Sequence, residues 1–455
     1  MASPPLAALE ADLSALSLGR PAGRITRLGG GLVGIEGLGT AAHLGDSVEL
    51  RSRRGPPIAG EIVALTPGRA TVLPDGEADG LAIGDRAVLR GAPAFRPDDR
   101  WLGRVLDPRG AALDGRALPA GGQARPLRAP PPPPAQRRPL GARLATGQVV
   151  FDTMLPLVRG QRLGLFAGSG VGKTRLLGRL ARGVEADVVV LALIGERGRE
   201  LGEFLRDVLG EAGLARSVVV AATADRSALM RRRAAWAAMS VAEHFRDAGR
   251  HVLFLADSVT RFAEAHREIA LAGGEPAALG GHPPSTLRLI SELAERAGPG
   301  AGGAGDITAI FTVLVAGSDM EEPIADILRG VLDGHVVLDR AIAERGRFPA
   351  VDVLRSVSRS LPGAASEAEN ALIARARRLM GIYDRAEVMI QAGLYTAGSD
   401  PGIDAAIRVR PALEEVLARA APGGIAESFA ALEGALAAAD EAQAGEAAPE
   451  MARSA

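Results

Sequence analysis

Along the first twenty positions Leu6, Leu9, Leu13 and Leu16 recur at spacings of three and four, which sets them on one face of a short helix. A helix this short is marginal alone, so the stripe needs a surface to cover: its own domain, a partner protein or a membrane interface. From about Arg24 to Ala94 the texture changes to short β-type runs at 32–35, 47–50, 61–65 and 87–89. Turn signals at Gly45-Asp46, Pro67-Gly68 and Gly84-Asp85 separate them, the pattern of a small β-barrel. Residues 102–140 are rich in Gly, Pro and Arg, and the five prolines from Pro130 to Pro134 read as a stiff, extended connector.

After the connector, apolar runs at 163–166, 187–194, 217–222, 252–256 and 307–315 alternate with helical patterns, among them 199–209 and 227–246. Repeated β–α units of this kind predict a parallel sheet covered by helices. Beyond Leu361 the strand signals fade into Ala- and Leu-rich helical patterns, and 441–455 reads as solvated tail. The expected organisation is a docking helix (1–22), a β-barrel (23–95), an α/β domain (96–362, with the Pro-rich connector at about 119–140) and a helical C-terminal domain (363–455).

Composition narrows the function. The net charge of −1 offers no field for nucleic acid, and 3% aromatic residues leave few platforms for stacking bases. With no cysteine there is neither a disulfide framework nor a thiolate metal site, and the six histidines show no ligand spacing. No leader-like segment begins the chain and no apolar run is long enough to span a bilayer, so a cytoplasmic protein is expected. One count changes the picture more than these: of the 53 basic residues, 52 are arginine and one, Lys173, is lysine. A cradle of backbone N–H groups around a phosphate admits a compact ammonium on a flexible stem and excludes a planar guanidinium.

Lys173 lies in Ala167-Gly168-Ser169-Gly170-Val171-Gly172-Lys173-Thr174, the spelling of a phosphate-binding loop with Ala167 in place of the first glycine. The loop follows a strand-like run and opens a helical one, which sets its amides and a helix N-terminus around phosphates. The fold class is therefore an α/β P-loop NTPase core. Phosphoryl transfer to water also needs a magnesium ion and a group to orient the water. Asp257 ends an apolar strand and would hold magnesium with the Thr174 hydroxyl. Glu196, in Ile194-Gly195-Glu196-Arg197-Gly198, falls at another strand's carboxyl end; it is either the carboxylate that polarises water or an acidic residue suiting a helix dipole. Arg231, Arg232 and Arg233 point in different directions on a helix, which favours structural or interface roles over nucleic-acid binding.

AGSGVGKT, IGERGRE, LFLADSVTRFAEAHREI, GEPAALGGHPPS, PIADILRGVLDGHVVLDR, FPAVDVLRSVSR and GLYTAGSDP resemble, in order, segments of the hexameric ATPases that include rotary ATP synthase subunits and type III export ATPases. The resemblance is closest to the flagellar export branch. It implies that Gly168, Ser169, Gly170, Val171, Gly172, Lys173 and Thr174 bind ATP, that Thr174 and Asp257 serve Mg2+, and that Glu196 is the catalytic carboxylate with Arg197 beside it. It makes Arg359 an arginine finger reaching a neighbouring subunit, Phe348 an adenine platform and Tyr395 a second aromatic wall. Because Glu196 and Arg359 share one chain, a homo-hexamer could build complete sites. Residues 1–20 are expected to dock an export regulator or stalk protein, near a gate on the cytoplasmic face of the inner membrane, where export substrates and chaperones meet the ring. A virulence injectisome ATPase is the near alternative. A synthase catalytic subunit, an RNA-translocating ring helicase and a non-catalytic scaffold are more distant ones. The sequence departs from the family pattern at Phe348, usually tyrosine, at Gly281-His282, usually Gly-Tyr, and at Ala316-Gly317-Ser318-Asp319, usually more acidic.

Overall fold

The structure, a computed structural model, describes residues 19–119, 121–315 and 320–437. The leucine stripe of the first twenty residues, the departure at Ala316-Gly317-Ser318-Asp319 and the tail at 441–455 lie outside the described residues.

Six antiparallel strands close a barrel: β1 (Ala22–Gly29), β2 (Leu32–Glu36), β3 (Ser47–Arg51), β4 (Ile58–Thr66), β5 (Arg69–Pro74) and β6 (Arg86–Gly91), in the order β1-β2-β5-β4-β3-β6. Ile25, Val33, Ile35, Val48, Leu50, Ile62 and Val72 fill its interior, and closure leaves no unpaired sheet edge. The apolar pattern alone misses β1 and β5. In β1 only Gly23 and Ile25 are buried, and β5 buries Ala70 and Val72 between Arg69, Thr71 and Leu73 before ending in proline.

The central sheet has nine strands among the described residues, a two-residue strand (Gly298–Pro299) beside Asp306–Leu314 and eight on one path: β7 (Arg104–Leu106), β8 (Arg162–Ala167), β9 (Val188–Glu196), β10 (Ser217–Thr223), β11 (His251–Asp257), β12 (Asp306–Leu314), β13 (Gly334–Leu338) and β14 (Val351–Ser358). Their order is β14-β13-β8-β12-β11-β9-β10-β7, and neighbours are parallel except the antiparallel β13–β14 pair. Residues of β9 alternate between two cores: Val189, Leu191 and Leu193 face one side, Val190, Ala192 and Ile194 the other. Burial on both faces explains why these strands read as unbroken apolar runs. Helix α1 (Lys173–Gly183) covers the first face; α2 (Ala228–Asp247), α3 (Val259–Ala272), α4 (Pro284–Arg296) and α5 (Pro323–Val331) serve the second.

Part of the segment read as connector belongs to the core. Arg104–Leu106 pairs with β10 as an edge strand, and Leu106 and Leu127 are buried. Three residues carry no periodicity, so only the waiting edge of β10 makes them a strand. The three consecutive arginines act in three directions: Arg231 binds Glu268, Arg232 binds Glu61 of the barrel, and Arg233 donates to the Pro108 carbonyl.

Helices α6 (Glu367–Gln391), α7 (Pro401–Ala418) and α8 (Gly424–Ala437) follow. A capping box between Ser366 and Glu369 starts α6, and Asp400 caps α7. Ile373, Leu413 and Leu432 of these helices share one continuous core with the α1 face of the sheet.

Candidate active site

Four strands deliver the chemistry to one rim of the sheet. Parallel pairing orders their carboxyl ends as β8, β12, β11 and β9, with neighbouring strands roughly 4.8 Å apart. Beyond β8 the chain turns through the glycine loop, β11 ends in Asp257 and β9 ends in Glu196. Side chains scattered over more than eighty positions of sequence thereby meet.

In the loop, Gly170 and Gly172 take φ of +79° and +86°, left-handed conformations that a side chain would strain. Gly172 has a second reason to be glycine: a Cβ there would lie 3.1 Å from the Phe348 ring. Val171 is buried and anchors the loop, while Ser169 and Gly170 are exposed and Gly168 is half-buried. Helix α1 begins at Lys173, and its buried Leu176, Leu177 and Leu180 seat it on the sheet, so its N-terminus and free amides face the loop.

Lys173 Nζ binds Asp257 Oδ1 and lies 3.8 Å from Glu196 Oε1. Asp257 is 4% exposed and also accepts from the Thr312 hydroxyl at 2.7 Å. One ammonium thus faces two carboxylates. Burial pushes the Glu196 carboxyl up, the Asp257 charge pushes it further, and Lys173 opposes both, leaving it at about 7. Glu196, Asp257 and the exposed Thr174 line a common cleft of about 550 Å3 between α1 and the helical segment after β9. That segment, expected as one helix over 199–209, has α-helical ends (Gly198–Glu203 and Gly210–Ala215) and a π-helical middle, Phe204–Leu209.

A loop whose backbone disfavours a side chain at two glycines, a lysine ammonium between two carboxylates at its end, and hard oxygen donors beside it fit a polyphosphate with a divalent ion. Among the described residues no cluster of three or more His, Asp or Glu side chains could hold an ion. Magnesium characteristically takes one or two protein oxygens and completes its shell from phosphates and water.

Of the other sequence candidates, Arg197 and Phe348 border this centre, whereas Tyr395 and Arg359 lie apart from it. Arg197 is solvent-exposed and pairs with Glu200 at 3.1 Å. Phe348 is 42% exposed beside Gly172. The Tyr395 hydroxyl donates to the Asp404 carboxylate at 2.7 Å on the turn between α6 and α7. Arg359 follows β14, which runs antiparallel to its neighbour, so it lies on the opposite rim; its guanidinium donates to the Arg329 carbonyl at 3.1 Å. Thr312 was missed, although a threonine inside an apolar strand was the available signal.

The nucleotide-binding domain model of the ATP synthase alpha/beta family matches residues 147–358, and a model of the type III secretion EscN ATPase C-terminal domain matches 365–432. A flagellum-specific ATP synthase of Caulobacter vibrioides is 46% identical over 405 residues, covering 87% of this chain and 91% of that one. The chain belongs to the type III export ATPase family. It is an ATPase. The family includes a type 3 secretion system ATPase of Xanthomonas euvesicatoria, 42% identical over 413 residues, 90% of this chain and 92% of that one. Among solved structures, the assembled EscN ATPase of enteropathogenic E. coli in complex with its central stalk EscO matches with a TM-score of 0.82 at 36% identity, covering 91% of this chain and 100% of that one. The match of this export ATPase to that structure includes barrel, sheet and helical region together.

Proposed function

We propose that the chain hydrolyses ATP to ADP and phosphate as a homo-hexameric ring, with each active site shared by two copies, and that this turnover energises flagellar type III protein export. The observation that carries the reading is the separation of Lys173, Glu196 and Asp257 on one rim from Arg359 on the other. From Val351, level with Leu338 and Ala167, to Ser358 is seven residues of strand, about 23 Å. Arg359 is out of reach of its own loop and exposed to a neighbour's.

In this reading the amides from Gly168 to Thr174 and the N-terminus of α1 hold the triphosphate, and Lys173 exchanges Asp257 for the β- and γ-phosphates. Thr174 and Asp257 would hold Mg2+, which when bound neutralises charge on the phosphate oxygens. Glu196 orients the attacking water and takes its proton, the role for which a pKa near 7 suits a carboxylate. Arg197 borders this carboxylate. Arg359 of the next copy supplies positive charge to the developing anion, the work of an arginine finger. Phe348, exposed beside Gly172, is assigned to adenine and Tyr395 to a second wall.

The assembled, stalk-bound state of EscN supports a ring around a stalk protein. Residues 1–20 are assigned to a regulator or stalk partner, and the ring to the cytoplasmic face of the inner membrane, where substrates and chaperones reach it; no nucleic acid is involved. Among the described residues no helix is long and apolar enough to cross a membrane. The injectisome reading stays beside the flagellar one because relatives of both kinds match at similar identity.

Mixing two inactive variants tests the shared site. Glu196→Gln should bind ATP without turnover, and Arg359→Ala should turn over poorly. In mixed rings about a quarter of the boundaries pair an intact Glu196 with an intact Arg359, so activity should return to that extent. No recovery on mixing, with wild-type turnover independent of protein concentration, would falsify the shared site. Flagellar filaments in a strain lacking the gene would point to the injectisome.

A further inference from the structure

Strand β12 is buried along its length, yet it carries two hydroxyls, Thr308 and Thr312. Alternation puts both on the face that includes Ile310, the α1 side of the sheet. A hydroxyl in an apolar layer costs stability unless it is hydrogen-bonded, and valine would fill the same space without that cost. Thr308 is accounted for: its oxygen accepts the Gly160 N–H at 2.9 Å and meets His251 Nε2 at 2.8 Å. Thr312, completely buried, has its hydroxyl 2.7 Å from Asp257 Oδ1.

The register explains why. Ala256 of β11 faces Phe311 of β12, so Asp257 and Thr312 are the next rung, where the sheet ends and the phosphate site begins. Lys173 and Thr312 both donate to Oδ1, and no hydrogen bond within the described residues reaches Oδ2. When Lys173 turns to phosphate, Thr312 is the donor that stays.

We infer that Thr312 is a positioning residue: its hydroxyl fixes the Asp257 carboxylate with Oδ1 turned into the sheet and Oδ2 presented to the metal–nucleotide complex. This rests on the reading of Asp257 as a magnesium-site residue. The strand edge next to a metal carboxylate would otherwise leave that carboxylate free to rotate whenever the ammonium departs. A threonine supplies one fixed donor and no charge, so it orients the group without competing for the cation.

The test compares Thr312→Val, Thr312→Ser and Asp257→Asn in the full chain. Mn2+ affinity of the ADP complex is read by electron paramagnetic resonance, and a fluorescent ADP analogue reports metal-free nucleotide binding. Thr312→Val should weaken Mn2+ binding roughly tenfold, the order of a hydrogen bond to a charged group, and leave metal-free ADP binding unchanged. Thr312→Ser should restore Mn2+ affinity, which a purely structural role would not require. Loss of Mn2+ affinity in Asp257→Asn with wild-type affinity in Thr312→Val overturns the inference alone. Wild-type affinity in both overturns the Asp257 reading and the inference with it. Thr312→Val that also loses metal-free ADP binding shows a damaged loop and overturns it too.

Discussion

Glu196 concentrates the residue-scale chemistry because burial and a neighbouring carboxylate act on it together. Held at about 7, it is a mixture of acid and carboxylate at neutral pH. If the carboxylate is the working form, kcat/KM should climb about tenfold per pH unit below 7 and level off above it. A profile flat through that range would remove Glu196 as base. The same shift acts on stability with a definite sign. The folded pKa lies above the ordinary 4.5, so the folded state binds the proton more tightly. Its stabilising contribution is complete below about 4.5 and is lost as pH rises through about 7. Urea midpoints of wild type and Glu196→Gln should therefore diverge over that window, the wild type declining relative to the variant. Spacing alone left Glu196 ambiguous between base and helix-dipole partner; the resemblance implied the base, and its nearness to Lys173 and Asp257 supports that proposal.

At the scale of elements, the loop depends on how α1 lies against the segment that follows Glu196. Gly178 faces that segment so closely that a Cβ would sit 2.1 Å from Val208 Cγ1 and 3.2 Å from the Val208 carbonyl. Val208 belongs to the π-helical turn Phe204–Leu209, and π-turns inside helices occur frequently at functional sites. Gly178→Ala should destabilise the fold by about 1–3 kcal/mol through overpacking and weaken nucleotide binding by shifting α1. Denaturant midpoints with nucleotide titration check both; an unchanged protein would mean the contact yields freely. Sequence periodicity found the helix over 199–209 and not its wide turn, which lies where Val208 packs on Gly178, a residue of another element.

Across the whole molecule a buried cation helps to tie the C-terminal helices to the nucleotide edge. Arg347 lies 2.7 Å from Glu414 of α7 and donates to the Val351 carbonyl at 2.5 Å. The next residue, Phe348, borders the phosphate loop. Beside Arg347 a cavity of about 200 Å3, lined also by Tyr383, Arg410 and Leu413, lies between the end of the sheet and the helices. Glu414→Ala should cost roughly 2 kcal/mol by leaving Arg347 buried without its counter-charge, and a second change, Arg347→Met, should recover part of it. Thermal unfolding of the single and double variants decides; additive losses would mean that the pair is uncoupled. At the other end Glu61 of the barrel reaches Arg232 of α2, so barrel, sheet and helices are linked through ion pairs as well as shared core.

What the sequence determined by itself is local. A lone lysine in a glycine loop, apolar runs ending in Asp257 and Glu196, and leucines at helical spacing each follow from physics acting over a few neighbouring residues. Backbone pairing decided the rest. It recruited Arg104–Leu106 to the edge of β10 and closed the barrel through β1, which has almost no apolar pattern of its own. It set Thr312 against Asp257 and, by running β14 antiparallel, put Arg359 on the rim away from the loop in its own chain. No spacing in the sequence encodes those placements, because each depends on which strand lies beside which.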